Sequence, residues 1–432
     1  MLNRTCRNQV ELDFCKADER EDYHRAALAR LLLHARSHPL TGDRLAGASR
    51  ADILHDPQGV LARVAPVRTP DHGNAVLAAR DVSGPGGASI VFSTGGTTGR
   101  PVILLNTYGE SLRNAVHHGK GYWAAGIRPH HRVATFGGSG TFASEYCVYH
   151  ALSQTGCTIL PVNDFRRVPE NVAILRDMRA TVLLAMPSEL YPMVDHMEAH
   201  RLHFPDVELI VTGGEPLSEQ LRNRLNGVFG PAVKFGSTFQ TADLGTIGYQ
   251  CEHCAPSEYH VHEEIQYVQV EEIDGEPELV VTNLDRFLMP ALRLRSGDRA
   301  SFADDGGACH CGRTSRRLAL LGRTGAMVKI GGEKVPTAGI LHLPVAIGVN
   351  EHRVRIEITR SASGRNRLTV RSDEILEQGR ETAALSHLLA EPKLAQMVRE
   401  GRCDRIRFGG SRDAHQNPPG SGKNRVLVDL RT

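Results

Sequence analysis

The chain has 432 residues, of which 41% are hydrophobic and 23% are charged, and its formal net charge is +2 at neutral pH. This composition is typical of a globular protein and excludes a fibrous or disordered chain. The small net charge and the 5% aromatic content give no support for binding to nucleic acid. At this length we expect a large domain and a smaller one.

The sequence also bears on the cellular compartment. Charged residues run through the first 22 positions, and no stretch approaches the ~18 apolar residues that a membrane-spanning helix needs. We therefore expect a cytoplasmic protein that does not cross a membrane. In that compartment, nine cysteines favour free thiols or a metal site over disulfides.

The first hundred residues are predicted to contain helices and then a strand. An amphipathic helix is predicted at 17–37, and a short capped helix at 49–57. A glycine-rich turn at 84–87 leads into an apolar strand at 88–92, and a loop rich in Gly, Ser and Thr follows.

In the middle of the chain, segments with the apolar pattern of a strand alternate with segments that have the pattern of an amphipathic helix. Such alternation indicates a parallel sheet with helices on its faces. Strands are predicted at 132–136, 158–162, 181–186 and 209–212, with helices such as 144–153 and 168–178 between them.

The pattern changes after Gln250. Strands at 265–270, 278–282 and 291–295 indicate a small barrel or a mixed sheet, and a break falls at 322–336. Beyond the break, strands at 353–359 and 367–371 and helices within 381–400 are enough for a domain of about 110 residues. We predict an α/β protein: a large N-terminal domain (1–323) with mostly parallel sheets and a strand-rich subdomain, and a small mobile α+β domain (324–432).

The loop after the strand at 88–92 has the composition of a phosphate-binding loop. Glycines let backbone N–H groups approach phosphate oxygens, hydroxyls add donors, and a guanidinium adds charge-assisted bonds. The spacing of a Walker loop is absent, and a flexible surface loop is the alternative. The loop reads Ser93-Thr94-Gly95-Gly96-Thr97-Thr98-Gly99-Arg100-Pro101.

This loop and five later segments resemble, in order, the motifs of the adenylate-forming superfamily, and within it the phenylacetate–CoA ligase-like branch. The resemblance runs from about residue 27 to the C-terminus. It implies activation of a carboxylic acid by ATP and Mg²⁺ as an acyl-adenylate, followed by transfer to coenzyme A. The later segments are TGGEPL at 212–217, FQTAD at 239–243, LRSGD at 294–298, GRTGAMVKI at 322–330 and GSGKNRV at 420–426.

The resemblance also implies roles for individual residues. Attack of a carboxylate on the α-phosphorus brings anions together, so cations and oriented donors must offset charge. Lys423 would bridge the two reacting groups, Asp243 would hold Mg²⁺, and Thr97 would steady the phosphates. The remaining nucleotide-binding residues would be Ser93, Thr94, Gly95, Gly96, Thr98, Gly99, Arg100, Gly213, Gly214, Glu215, Phe239, Gln240, Thr241, Asp298 and Arg323.

The resemblance places the pocket for the acid beside residues 136–142. The aromatic rings of Phe136 and Phe142 suit a flat apolar acid, such as an aryl or arylacetic acid. Alternatively, Phe136 ends a core strand and Phe142 begins a helix. Glu145 nearby could meet an amino or hydroxyl substituent.

Several cysteines and histidines cluster in the strand-rich part of the chain. They are Cys251-Glu252-His253-Cys254, His260 and Cys309-His310-Cys311. Four such ligands suit a closed structural zinc site, and reduced thiols without a metal are the alternative. Resemblance to zinc-bearing members of the branch implies Cys251, His260, Cys309 and Cys311 as structural ligands, with Cys254 and His253 competing for places.

Three departures from the family pattern leave the acceptor open. Asp243 stands where Glu is usual, Gly325-Ala326 replaces an acidic pair, and residues 331–333 lack a basic side chain. Alternatives to coenzyme A are a carrier protein, an amine and nitrite-dependent diazotisation. A protein of another class, a non-catalytic module that binds zinc and a nucleotide, also remains open, as does a homodimer.

Overall fold

The computed structural model describes residues 12–68, 89–93, 102–136, 144–162, 167–303, 308–324, 327–330, 333–350, 353–360, 366–372, 378–400, 403–410 and 426–429. The chain divides into two compact units. The larger comprises Met1–Leu217 and Asn223–Thr324, and the smaller comprises Ser218–Arg222 and Gly325–Thr432.

The larger unit begins with a helical layer. A 3-10 turn (Leu12–Phe14) precedes helix α1 (Ala17–Arg36), and helices α2 (Arg50–His55) and α3 (Pro57–Ala62) follow. The predicted helices at 17–37 and 49–57 are thus confirmed in outline. Their apolar faces pack together through a buried set that includes Leu28, Leu31, Leu32, Ile53 and Leu61.

In the described part of the larger unit, twelve strands form one sheet, in which five strand pairings are parallel and six are antiparallel. The parallel order β5-β4-β6-β7-β8 confirms the alternation predicted from the sequence. The strands are β4 (Arg132–Thr135), β5 (Thr158–Pro161), β6 (Val182–Ala185), β7 (Leu209–Gly213) and β8 (Lys234–Thr241). The accompanying helices are α4 (Tyr108–Ala124), α5 (Ser144–Thr155), α6 (Val168–Asp177), α7 (Pro187–Ala199) and α8 (Glu219–Phe229).

The strand-rich segment after Gln250 continues the same sheet. Of the two predicted alternatives, a small barrel or a mixed sheet, the described residues form the mixed sheet. The order runs on from β8 as β9-β10-β14-β13-β12-β11, and β1 (Val67–Arg68) pairs with β13. The predicted strand at 291–295 starts later, because Arg293 has a φ of +46°, which interrupts the extended backbone. The strands are β9 (Gly245–Tyr249), β10 (Glu258–Val261), β11 (Gln266–Ile273), β12 (Glu276–Asn283), β13 (Leu294–Phe302) and β14 (Arg317–Arg323).

A separate hairpin carries the glycine-rich loop. Strands β2 (Ser89–Ser93) and β3 (Ile103–Thr107) pair antiparallel, with Ser93 opposite Ile103. The predicted strand at 88–92 is therefore confirmed, shifted by one residue. The loop itself, residues 94–101, lies outside the described residues.

The smaller unit is an α+β structure. It contains the hairpin β15 (Met327–Ile330) and β16 (Glu333–Pro336), the short helices α9 (Thr337–Leu341) and α10 (Leu343–Ala346), and a four-stranded sheet. The helical stretch predicted at 381–400 divides at Pro392, which begins the second helix. The sheet order is β19 (Arg407–Gly410), β18 (Asn366–Ser372), β17 (Val354–Arg360) and β20 (Leu427–Asp429), and the longer helices are α11 (Gln378–Leu389) and α12 (Pro392–Arg399).

Candidate functional site

The parallel strands end at one edge of the sheet, where several predicted site residues lie. Phe136 follows β4, and its N–H donates to the carbonyl of Leu184 in β6 at 2.9 Å. Gly213 at the end of β7 is paired with Thr238 in β8. Ligands of open α/β sheets bind beyond the carboxyl ends of the strands, so this edge is the candidate nucleotide site.

Two glycines keep this edge flat. A Cβ on Gly213 would lie 3.0 Å from Thr238 Oγ1 and 3.9 Å from the side-chain nitrogen of Gln240. Gly214 has a φ of +77°, in the left-handed region, and a Cβ there would meet the sulfur of Met186 at 3.6 Å. A side chain at either position would rise over the edge, so glycine leaves room for a planar group.

Three charged residues from different strands converge beside this edge. Asp243, just after β8, is buried, and so are Asp298 in β13 and Arg286 between β12 and β13. Burial raises the pKa of Asp298, and the carboxylate of Asp243 raises it further. Burial lowers the pKa of Arg286, while Glu110 and Asp243 oppose that shift. The predicted magnesium ligand and the predicted ribose ligand are therefore electrostatic neighbours.

Asp298 has one oxygen bound and one oxygen available. Oδ1 accepts from Arg323 Nη1 at 3.0 Å, and the backbone N–H donates to Ser296 Oγ at 3.0 Å. Oδ2 is buried and has no hydrogen-bond partner among the described residues. A buried carboxylate oxygen without a partner is costly unless a ligand satisfies it.

Gly297 lets Arg323 reach Asp298. Its φ is +74°, and a Cβ there would lie 3.0 Å from Arg323 Nη2. The N–H of Thr324 donates to the carbonyl of Gly297 at 2.8 Å. The start of the predicted hinge segment is therefore fastened to the predicted ribose segment.

A buried acid behind the predicted adenine segment was not found from the sequence. Glu189 Oε2 accepts the N–H of Met186 at 2.8 Å, in the first turn of α7. Burial raises the pKa of Glu189 to about 7, and the charge of Glu215 adds to this rise. Spacing alone gives no signal for such a pair.

A second group missed by the sequence supports the hairpin that carries the phosphate loop. Glu110 Oε2 accepts the N–H of Thr107 at 2.7 Å, and Oε1 accepts the N–H groups of Phe287 and Leu288 at 2.6 and 2.9 Å. Arg286 donates to the side chain of Asn106 in β3. The Thr-x-x-Glu pattern of a capping box at 107–110 was a signal that could have found Glu110.

Other predicted residues lie outside the described part of the chain. Of the phosphate loop, only Ser93 is described, and it is buried at the end of β2. For Glu145 the structure describes the backbone in α5 and not the side chain. Of the C-terminal motif, Val426 is described, and its carbonyl accepts the N–H of Ile356 at 2.6 Å. Those outside are Thr94, Gly95, Gly96, Thr97, Thr98, Gly99, Arg100, Phe142 and Lys423.

The structure brings together the four residues predicted to form a zinc site. The ligand atoms of Cys251, His260, Cys309 and Cys311 lie within 4.8 Å of one another. Cys251 Sγ is 3.7 Å from Cys309 Sγ and 3.6 Å from His260 Nε2. Two sulfurs bound at ~2.3 Å to a tetrahedral zinc ion lie about 3.8 Å apart, so the spacing fits the ion.

The competing residues take different positions. Cys254 Sγ lies 3.6 Å from Cys251 Sγ, beside the group of four. His253 donates its backbone N–H to Cys251 Sγ at 3.4 Å, while its side chain is 41% exposed. His260 Nδ1 lies 3.0 Å from Ser315 Oγ, which directs Nε2 towards the sulfurs.

The cysteine loop also holds the N-terminal segment. Asp13 is buried, and its Oδ2 accepts from the hydroxyl of Tyr249 at 2.6 Å. Lys120 Nζ and Arg313 Nε lie 3.0 and 3.4 Å from the same oxygen. The N–H of Thr314 donates to the carbonyl of Asp13 at 2.6 Å. Residues from the start of the chain, α4, β9 and the cysteine loop thus share one buried ionic network.

Comparison with known proteins finds similarity to a family of AMP-binding enzymes and to coenzyme A ligases. The model of the family described as "AMP-binding enzyme" matches residues 19–255. A phenylacetate–coenzyme A ligase of Thermus thermophilus is 26% identical in an alignment of 375 residues, and the match covers 79% of this chain and 80% of that protein. A phenylacetate–coenzyme A ligase of Pseudomonas putida is 24% identical in an alignment of 233 residues, and the match covers 48% of this chain and 49% of that protein.

A solved structure has a similar fold. The crystal structure of 2-hydroxyisobutyryl-CoA ligase in the postadenylation state, in complex with R3-HIB-AMP, has a TM-score of 0.74 at 19% identity. The match covers 97% of this chain and 91% of that one. Among the helices that the structure describes, none combines the length and apolar character needed to cross a bilayer.

Proposed function

This chain belongs to the AMP-binding enzyme family, and on that basis we propose that it activates a carboxylic acid with ATP and transfers the acyl group to coenzyme A. The single observation that carries the proposal is the convergence of Asp298, Asp243 and the flat Gly213-Gly214 edge at the carboxyl ends of the parallel strands. The relatives named as phenylacetate–coenzyme A ligases support the acceptor.

The reaction has two steps. A carboxylate oxygen of the acid attacks the α-phosphorus of ATP, the bond to pyrophosphate breaks, and an acyl-adenylate forms. The thiol of coenzyme A then attacks the acyl carbonyl, loses its proton and displaces AMP. Both steps concentrate negative charge, which oriented donors and cations stabilise.

Residues of the larger unit would bind the nucleotide. The free Oδ2 of Asp298 would accept the ribose hydroxyls, while Gly213, Gly214 and Glu215 would lie along the adenine with Phe239, Gln240 and Thr241. Asp243 would hold Mg²⁺, an oxygen-seeking ion suited to a carboxylate beside phosphates. Arg323 would keep Asp298 oriented.

The phosphate loop at 93–101 and Lys423 would complete the reaction centre. Arg286 and Glu110 support this proposal indirectly, because they hold β3, the strand into which the loop leads. Lys423 would meet the attacking carboxylate and the α-phosphate, and Thr97, Thr98 and Arg100 would bind the outer phosphates.

For the acid we propose an aryl or arylacetic compound. Phe136 lies at the edge of the nucleotide site and is only 7% exposed, so its ring can line an apolar pocket. We further propose that the protein acts in the cytoplasm.

We also propose that Cys251, His260, Cys309 and Cys311 hold a structural zinc ion. The donor set is closed and sulfur-rich, which suits structural and not catalytic zinc. The ion would fasten the loop between β13 and β14 to β9 and β10.

The test is pyrophosphate release from ATP across a panel of aryl, arylacetic, hydroxy-aryl and amino-aryl acids, with and without coenzyme A. We expect release to depend on the acid, and a thioester to form when coenzyme A is present. Lys423→Ala should abolish ATP–pyrophosphate exchange, while Lys393→Ala, an exposed lysine of α12, should leave it unchanged. Acid-dependent release without a thioester would move the acceptor to a carrier protein, an amine or nitrite, and no release with any acid would overturn adenylation.

A further inference from the structure

A second cluster of potential metal ligands lies in the larger unit. The ligand atoms of His117, His262 and Glu264 lie within 4.8 Å of one another, and all three residues are buried. None of them belongs to the nucleotide site or to the cysteine site.

The cluster contains polar atoms that the protein leaves unsatisfied. Both ring nitrogens of His262, which is 0% exposed, and Oε2 of Glu264 have no hydrogen-bond partner among the described residues. Each unsatisfied buried polar group costs about 1–3 kcal/mol. Unsatisfied polar atoms on two residues of one buried cluster point to an occupant that supplies the missing interactions.

The fold leaves space for the imidazole rings. His117 and Gly121 lie one turn apart on the same face of α4. A Cβ on Gly121 would lie 3.4 Å from His262 Nε2 and 2.9 Å from the Cβ of Tyr249. Glycine at this position therefore allows β9, which ends at Tyr249, to lie close to α4. The ring centroids of His117 and His262 are 6.3 Å apart in an edge-to-face arrangement.

A cavity gives access to the cluster. It has a volume of about 230 Å³, and His117 and Glu264 form part of its wall together with Tyr23, Arg113 and Asp285. Water molecules or a small ligand can therefore reach an ion bound to the two side chains, and the ion itself has a route from solvent.

The local charges limit the affinity without preventing binding. Lys120 Nζ donates to Glu264 Oε1 at 2.5 Å and lies 3.0 Å from Asp13 Oδ2, so one oxygen of Glu264 is already used. Oε2 is the oxygen left for an ion. The ammonium group repels a second cation, and removing it should strengthen metal binding.

We propose that His117, His262 and Glu264 bind a divalent first-row transition metal, with zinc as the reference ion. Two imidazoles and one carboxylate are a donor set for zinc or iron(II) that leaves coordination positions open. His117 and Glu264 also line the cavity, where water or a small ligand could complete the coordination. The site differs from the sulfur-rich cysteine site in donor type and in access. It is independent of the proposed ligase activity.

The first test uses the unmodified full chain. Crystals grown with zinc are measured on both sides of the zinc absorption edge, and zinc per chain is determined after gel filtration. We expect an anomalous peak about 2.1 Å from the nitrogen and oxygen ligands, with two zinc equivalents per chain. A peak at the cysteines alone, or a water in place of the ion, would overturn the proposal.

The second test uses variants and cobalt. His117→Gln and Glu264→Gln should each lose one metal equivalent while keeping the sulfur-to-cobalt charge-transfer band of the cysteine site. His118→Gln is the matched control, because His118 is the next residue of α4 and is also buried. Lys120→Met should raise the affinity for the second equivalent by on the order of tenfold. Equal stoichiometry in His117→Gln and in the unmodified chain would refute the assignment.

Discussion

Arg323 binds one oxygen of Asp298 and leaves the other oxygen of the same carboxylate without a partner among the described residues. The Nη1–Oδ1 distance is 3.0 Å, and Oδ2 is buried. This arrangement orients the carboxylate and keeps an acceptor for a hydroxyl of the nucleotide.

Asp298→Asn should weaken the use of ATP. A hydrogen bond to a charged group contributes about 1.5–3 kcal/mol, so we expect the KM for ATP to rise on the order of tenfold or more. Steady-state kinetics at varied ATP concentration measure this. Glu272→Gln, an exposed change on β11, is the control, and an unchanged KM in Asp298→Asn would contradict the ribose assignment.

Glu189 should make stability depend on pH. The pKa of Glu189 is about 7 in the folded protein and 4.5 for the unperturbed group, so the folded state binds the proton more tightly. The stability that this proton contributes is present below pH 4.5 and is lost as the pH rises towards 7. Glu189→Gln should therefore raise the free energy of unfolding by up to about 3 kcal/mol at pH 8, and little at pH 4.5.

Denaturant titrations of Glu189→Gln at both pH values test this difference. Gln at this position can still accept the N–H of Met186, so this hydrogen bond is preserved. Glu272→Gln should show no such difference between the two pH values. If the difference in the free energy of unfolding between Glu189→Gln and the parent is the same at pH 8 and pH 4.5, the carboxyl of Glu189 is not protonated in the folded protein.

Removing a cysteine ligand should affect stability more than chemistry. Cys309→Ser should lose one zinc equivalent and lower the Tm by several degrees, because a structural ion contributes to folding free energy. Metal analysis and calorimetry give both quantities. Cys157→Ser, outside the cluster, is the control. If the Cys309→Ser variant stays folded but loses ATP–pyrophosphate exchange, the ion has a role in the reaction and not only in stability.

Asp13→Asn should destabilise the larger unit. Burial raises the pKa of Asp13, but Lys120, Tyr249 and Arg313 outweigh burial and hold the pKa below its usual value. The ion pairs therefore stabilise the fold above the unfolded pKa, and this stabilisation is lost as the pH falls through the folded pKa. We expect a loss of about 3 kcal/mol in the variant at pH 7.

Urea unfolding at pH 7 measures the effect of Asp13→Asn. Asp18→Asn, an exposed acid in the first turn of α1, is the control. If both variants unfold at the same urea concentration, the network contributes nothing to stability.

The sequence predicted four of the five strands in the parallel part of the sheet, because apolar runs such as 132–136 and 209–212 alternate with helical periods. It predicted neither β8 nor β10. Those strands carry Thr, Gln, Gly and His where they face the nucleotide edge and the cysteine cluster, so their apolar pattern is weak.

In the candidate sites, too, the sequence predicted only those residues that a local pattern or a family motif marks. Cys251, His260, Cys309 and Cys311 were predicted from short spacings and from family resemblance, and they lie together. The pairs Asp13–Tyr249 and Arg286–Asn106 join positions 236 and 180 residues apart, and single residues at such separations leave no local pattern.

Cys251 and Cys309 are 58 positions apart in the sequence, and this separation affects the order in which the cysteine cluster can form. Closing so long a segment costs chain entropy, and it is the pairing of β14 with β10 that brings the two ends of the segment together. We therefore expect the cluster to assemble late in folding. A bound ion would lower the rate of unfolding and leave the rate of folding nearly unchanged, so it would increase the kinetic stability of the fold.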